Sequence, residues 1–166
     1  MRPRPRGIVT LVAVPVSLAV WLSGCTPKDP RSFDISAIIS LKAIAAAQTA
    51  YKTACGNGGY AARLPILAAP APGAAGGFIE AALGASSIPQ KSGYTFTMTA
   101  GAGSSAGPKD CNGTPTVTGF YATAVPILLN ETGTRSFAVN QLNLIWQLTG
   151  GIAPTEPFGP PAYPIQ

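Results

Sequence analysis

Lys91-Ser92-Gly93-Tyr94-Thr95-Phe96-Thr97-Met98-Thr99 is the stretch on which the fold turns. From Tyr94 its residues alternate, with Tyr94, Phe96 and Met98 on one side and three threonines on the other. That period of two, in aromatic and β-branched residues, predicts a strand with one face on a core. A half-apolar strand must be covered by another layer. The covering element lies upstream, where a helical pattern runs from Ile35 to about Ala54 with Asp34 as its N-cap. At 100° per residue, Ile38, Leu41, Ile44, Ala45, Gln48 and Tyr51 share the packing side, while Ile35 and Ile39 point elsewhere. Alanines between Ala43 and Ala50 keep the middle narrow and strongly helical. Cys55-Gly56-Asn57-Gly58-Gly59 stops the helix, since several positions there accept positive φ.

Downstream, three further strands are expected: Val117 to Val125, ended by Pro126; Arg135 to Val139; and Leu142 to Leu148. Short connections favour an antiparallel meander. The expected class is α+β, one long N-terminal helix packed on a three- to four-stranded antiparallel meander sheet, covering residues 35–149. The stretch 60–77 reads as irregular, and Phe78 to Gly84 as a short helix. Residues 150–166, with five prolines, read as an extended or disordered tail. Tyr51, Tyr94, Phe96, Phe120, Phe137 and Trp146 are the expected aromatic core. Ile35 and Ile39, off the packing side, are the candidate partner face; contact with the 60–77 loop is the alternative.

The N-terminus carries a different signal. Arg2, Arg4 and Arg6 precede an apolar run from Ile8 to Trp21, closed by Leu22-Ser23-Gly24-Cys25. The run is shorter than the ~20 residues that span a bilayer, and Pro15 interrupts it. The segment resembles a bacterial lipoprotein signal peptide with its lipobox, Leu22, Ser23 and Gly24 before the modified cysteine. The resemblance implies removal of residues 1–24 and acylation of Cys25, which would hold the protein in a membrane. It also implies a lipidated tether over 25–34, extended by Pro27 and Pro30 and adding little to any core. Thr26, where an aspartate would signal retention, implies the outer membrane, facing the periplasm.

Composition narrows the chemistry. Without the three signal-peptide arginines, eight basic residues face six acidic ones, and they form no patch, so no nucleic-acid partner is expected. The absence of histidine rules out a Ser-His-Asp triad, a Cys-His pair and His-ligated metals. Asp29, Asp34, Glu80, Asp110, Glu131 and Glu156 are scattered along the chain, so no local acid–base pair, metal site or cofactor site is expected, and the protein is read as no enzyme. Acylation of Cys25 leaves Cys55 and Cys111 as an even pair in an oxidising compartment. Closing that loop is worth ~4 kcal/mol in the chain-entropy model. Two unpaired buried thiols are the alternative.

Three segments together bear a family resemblance. Ala43 to Tyr51 followed by Gly58-Gly59-Tyr60 resembles the end of the type IV pilin helix. Phe78-Ile79-x-x-Ala82-Leu83 followed by Lys91 to Thr97 resembles the short helix and first strand of pilins and of type II secretion pseudopilins. Thr132 to Phe137 with Asn140 resembles their last hairpin. The resemblance covers about residues 36–149 and implies a pilin-like headpiece. The pilin peptidase site and its long apolar helix have no counterpart here; the lipobox stands in their place. Asn130 and Glu131 only weakly resemble the pseudopilin calcium loop, so no metal is carried over. The expected function is a lipid-anchored, non-catalytic docking or accessory component of the cell envelope, with secretion or pilus proteins as partners. A glycan- or solute-binding lipoprotein is the alternative.

Overall fold

The computed structural model describes residues 29–165. The signal segment and Cys25, with Leu22, Ser23 and Gly24, lie outside the described residues. Helix α1 runs Pro30–Ala54, followed by the short helices α2 (Leu64–Ala68) and α3 (Ala81–Gly84). The strands are β1 (Gln90–Lys91), β2 (Tyr94–Ala100), β3 (Ala106–Lys109), β4 (Pro115–Val117), β5 (Phe120–Pro126), β6 (Arg135–Asn140), β7 (Trp146–Thr149) and β8 (Tyr163–Pro164). Six of them form one antiparallel sheet in the order β1-β2-β5-β6-β7-β8, and β3-β4 form a separate hairpin. The architecture is therefore α+β, with the N-terminal helix packed on an antiparallel sheet.

The opening motif acts as expected. Ser92 (φ 47°) and Gly93 (φ 77°) both take left-handed backbone, which makes a two-residue hairpin turn between β1 and β2. Tyr94, Phe96 and Met98 then face the core. Cross-strand rows on this face alternate large and small. Phe96 pairs with Ala124, which pairs with Phe137, and Met98 with Ala122, which pairs with Val139. The alanines of β5 thus leave a trough between two bulky rows. There α1 packs against β5 and β6 with Ala37, Leu41, Ile44 and Ala45 buried. Interdigitation of this kind gives near-crystalline density without strained rotamers.

The 60–77 stretch, read as irregular, holds α2, and the short helix read from Phe78 begins only at Ala81. Four larger expectations change. The helix begins at Pro30, with Asp29 as the N-cap accepting from the Arg31 backbone N–H (2.9 Å). Proline suits the first helical position because its missing N–H would be unpaired there. Residues 30–34, read as tether, are therefore helix, and Asp34 is a fully buried residue one turn inside. Second, the Leu142 to Leu148 strand shrinks to Trp146–Thr149. Leu142 and Leu144 are exposed on a turn in which the Asn140 side chain accepts from the Leu142 N–H (3.1 Å) and Asn143 takes φ 59°. The Val117 to Val125 strand likewise breaks into β4 and β5, which belong to different sheets.

Third, the C-terminal segment 150–165 is part of the fold. Phe158 stacks on Trp146 at 5.3 Å, and the Tyr121 hydroxyl donates to the Pro154 carbonyl. Glu156 accepts from Asn140 Nδ2 (2.6 Å) and the Ala102 N–H (2.7 Å). Trp146 thus lies half-buried under the tail, on the face away from α1, and is no part of the helix-side core. Fourth, the sheet has six strands where three or four were expected, because Gln90–Lys91 and Tyr163–Pro164 each add a short one.

Candidate docking site on the long helix

Helix α1 is fastened at both ends, and its sides do different work. At its N-terminal end Asp34 Oδ1 accepts from the Tyr94 hydroxyl and the Thr134 N–H (3.0 Å). Its Oδ2 accepts from Thr134 Oγ1 (2.8 Å) and Arg135 Nε (3.0 Å). Four donors saturate a carboxylate. Burial pushes the Asp34 carboxyl up, but the hydrogen bonds from Tyr94, Thr134 and Arg135 together outweigh it and hold the group below its ordinary value. Arg135 is held in turn by Gln147 Oε1 (2.6 Å). Gly133 is required beside this cluster, because a Cβ there would stand 2.1 Å from the Tyr94 hydroxyl oxygen.

Midway along, Gln48 pairs with the backbone of Ala61 in both directions, Nε2 to the carbonyl (2.7 Å) and Oε1 from the N–H (2.9 Å). At the C-terminal end a disulfide joins Cys55 to Cys111, and the Cys111 N–H donates to the Cys55 carbonyl (2.8 Å). Asp110 beside it accepts from the Tyr51 hydroxyl (2.7 Å) and from the Asn112 and Thr114 N–H groups (2.9 and 2.6 Å). Burial, reinforced by Asp110, pushes the Tyr51 phenol up; burial and Asp34 do the same to Tyr94. Both phenols stay protonated donors across the neutral range.

Among the described residues, nothing packs against the remaining side of α1. Ile35 and Ile39 are 57% and 60% exposed, and Ala43, Ala46 and Ala50 continue the exposed face toward the C-terminal end. Beside that face an open groove of about 560 Å³ lies between the helix and the β6–β7 turn, lined by Lys42, Ala45, Ala46, Thr49, Ala50, Thr53 and Asn143. Its lining is methyl and hydroxyl groups with one ammonium and one amide. Such a surface can fit a partner helix or loop by shape, and it holds no acid–base pair. A second hollow of about 410 Å³ is lined by Pro65, Ile66, Ala69, Pro70, Asn112, Thr114 and the already engaged Asp110.

The structure thus places Ile35 and Ile39 outward on α1, away from the buried stripe, and brings Cys55 and Cys111 into a bond. Tyr51, Tyr94, Phe96, Phe120 and Phe137 are buried. No aromatic side chain lines either hollow. Among the described residues, no group of three or more Cys, Asp or Glu is placed to hold a metal ion. Sequence reasoning missed the Asp34 cluster, whose partners Thr134 and Arg135 are a hundred residues away. It also passed over Ile127-Leu128-Leu129, an apolar run visible after Pro126. The chain matches no family model, and neither a curated protein nor a solved structure matches it.

Proposed function

We propose that this protein is a lipid-anchored, pilin-like domain of the bacterial cell envelope that acts without catalysis, as a docking or accessory component of a secretion or pilus apparatus. The observation that carries the reading is the division of α1. One side is sunk in the sheet, while the opposite side shows Ile35, Ile39 and a run of alanines to solvent. A solitary exposed isoleucine is ordinary on a protein surface. Two on successive turns, continued by small residues, offer the flat approach that another helix requires. The order of a long helix followed by the β2-β5-β6-β7 meander supports the pilin likeness, and the ordered tail with its extra strand is a departure from it. The lipobox Leu22-Ser23-Gly24-Cys25 supports the anchor and the periplasmic address. The glycan-binding alternative has less support, because the aromatics that would line a cleft are in the core or under the tail.

A photo-cross-linking residue placed at Ile39 in living cells tests the reading. The expected result is one discrete protein adduct in the outer-membrane fraction, weakened when Ile35 is changed to Lys. Recovery of the cross-linker without any protein adduct, in cells where the protein is acylated and membrane-bound, would refute a docking role for this face.

A further inference from the structure

We infer that the β5–β6 loop tip, Ile127-Leu128-Leu129, is a membrane-contacting wedge that inserts into the lipid headgroup layer and sets the orientation of the anchored domain. The inference rests on the lipid anchor at Cys25 proposed above. The three residues are 42%, 52% and 44% exposed. Three consecutive exposed aliphatic residues are unfavourable on a soluble surface unless something covers them. Their exposure is imposed by a defined turn. The Ile127 N–H donates to the Gly93 carbonyl (2.9 Å), the Leu128 N–H to Thr132 Oγ1 (3.0 Å) and the Asn130 N–H to the Gly133 carbonyl (2.7 Å). Asn130 takes φ 68° within it. The backbone is held, so the side chains have no inward alternative.

Position decides what covers them. The loop belongs to the N-terminal end of α1: a Cβ at Gly93 would touch both Phe33 (3.2 Å) and Thr132 (2.7 Å), and Thr134 is bonded to Asp34. Phe33 is one helical turn, ~6 Å, beyond Asp29. From Asp29 back to Cys25 are four residue steps, which span at most ~14 Å. An acylated Cys25 therefore keeps this end of the domain at the headgroup layer. The described exposed charges at this end, Asp29 and Glu131 against Arg31, make no basic patch for lipid headgroups, which leaves apolar contact as the means of attachment. Interfacial apolar groups settle ~5–10 Å into the headgroup and acyl boundary.

The test uses the full acylated chain. In Leu128→Cys, Cys25 is thioether-linked and Cys55–Cys111 bonded, so the new thiol alone takes an environment-sensitive fluorophore. Leu142→Cys, on the β6–β7 turn at the far end of β6, is the reference position, and Ile127→Cys is a second tip position should the first variant misfold. Each is reconstituted into phosphatidylcholine–phosphatidylethanolamine vesicles containing nitroxide-labelled lipid. Expected are a blue-shifted emission and strong nitroxide quenching at the tip, with neither at position 142. A tip label quenched by aqueous iodide and untouched by the nitroxide lipid overturns the wedge while leaving the anchor intact. A label shielded from both quenchers overturns it in favour of a protein covering the loop. Mass spectrometry of the Cys25 peptide is read separately: absence of acyl chains overturns the anchor, and the wedge with it.

Discussion

The two ends of α1, ~37 Å apart at 1.5 Å per residue over its 25 residues, are fastened by different physics. At the Cys55 end a covalent bond to Cys111 does the work, with Asp110 and Tyr51 packed beside it. At the Asp34 end everything is non-covalent: one buried carboxylate, a guanidinium, a phenol and a threonine. The first fastening acts chiefly by restricting the unfolded chain, and the second acts wholly in the folded state. One is cut by a reductant and the other by a proton. A domain built this way has two separate handles on a single helix, and experiments can pull them one at a time.

The largest effect is expected at the covalent end. Cys55→Ser should lower unfolding free energy by ~2–4 kcal/mol, less than the full loop-entropy figure because measured values often fall short of it. Urea denaturation of oxidised, reduced and variant protein checks this. Equal stability of the oxidised and reduced forms would remove the asymmetry altogether. At the other end Asp34→Asn should cost about 2 kcal/mol. An amide keeps one acceptor for Thr134 but loses the charge-assisted bonds from Arg135 and Tyr94, and Arg135 is exposed enough to find water in part. A loss below ~0.5 kcal/mol in the same assay would show that the cluster merely fills space.

Acid separates the two handles further. The folded carboxyl of Asp34 lies below its ordinary value of 3.8. Its contribution is fully present above that value and is lost as pH falls through the folded one. Wild-type stability should therefore drop below about pH 4 more steeply than that of Asp34→Asn, and the disulfide variant should keep the wild-type slope. Parallel acid profiles for wild type and Asp34→Asn would place the acid-sensitive group elsewhere. Alkali does not discriminate, because burial raises both Tyr51 and Tyr94 above the ordinary value of 10.0. Both ends then lose stability as pH rises past 10. The smallest effect is expected between the ends: Ile35→Lys with Ile39→Lys should change stability by no more than ~0.5 kcal/mol while weakening the Ile39-dependent adduct. A larger loss on unfolding would mean the face supports the fold.

The same contrast explains what could be read from residue order alone. The β2 strand was legible because Tyr94 to Thr99 alternate within one short window. The disulfide was legible through parity and compartment, which need no geometry. Asp34 was legible only as a helix-capping residue type; Asp29 caps the helix, and burial of Asp34 depends on Thr134, just before β6, and Arg135, its first residue. Leu142 and Leu144 alternate like strand residues, yet the Asn140 side chain captures the turn and sends both into solvent. The tail was unreadable for a related reason. Five prolines argue against a central strand, and they do not argue against docking over Tyr121 and Trp146 or against a two-residue strand at the margin.

That margin has a consequence for assembly. The open sheet ends on one side at Gln90–Lys91 and on the other at Tyr163–Pro164, each only two residues long. A longer bare rim would offer unpaired N–H and C=O groups to any neighbouring chain. Lysine at one rim and proline at the other, on strands of two residues, make both outermost strands poor templates for strand addition. Loss of the last few residues would strip β8 away and lay β7 bare, turning an inert rim into an adhesive one.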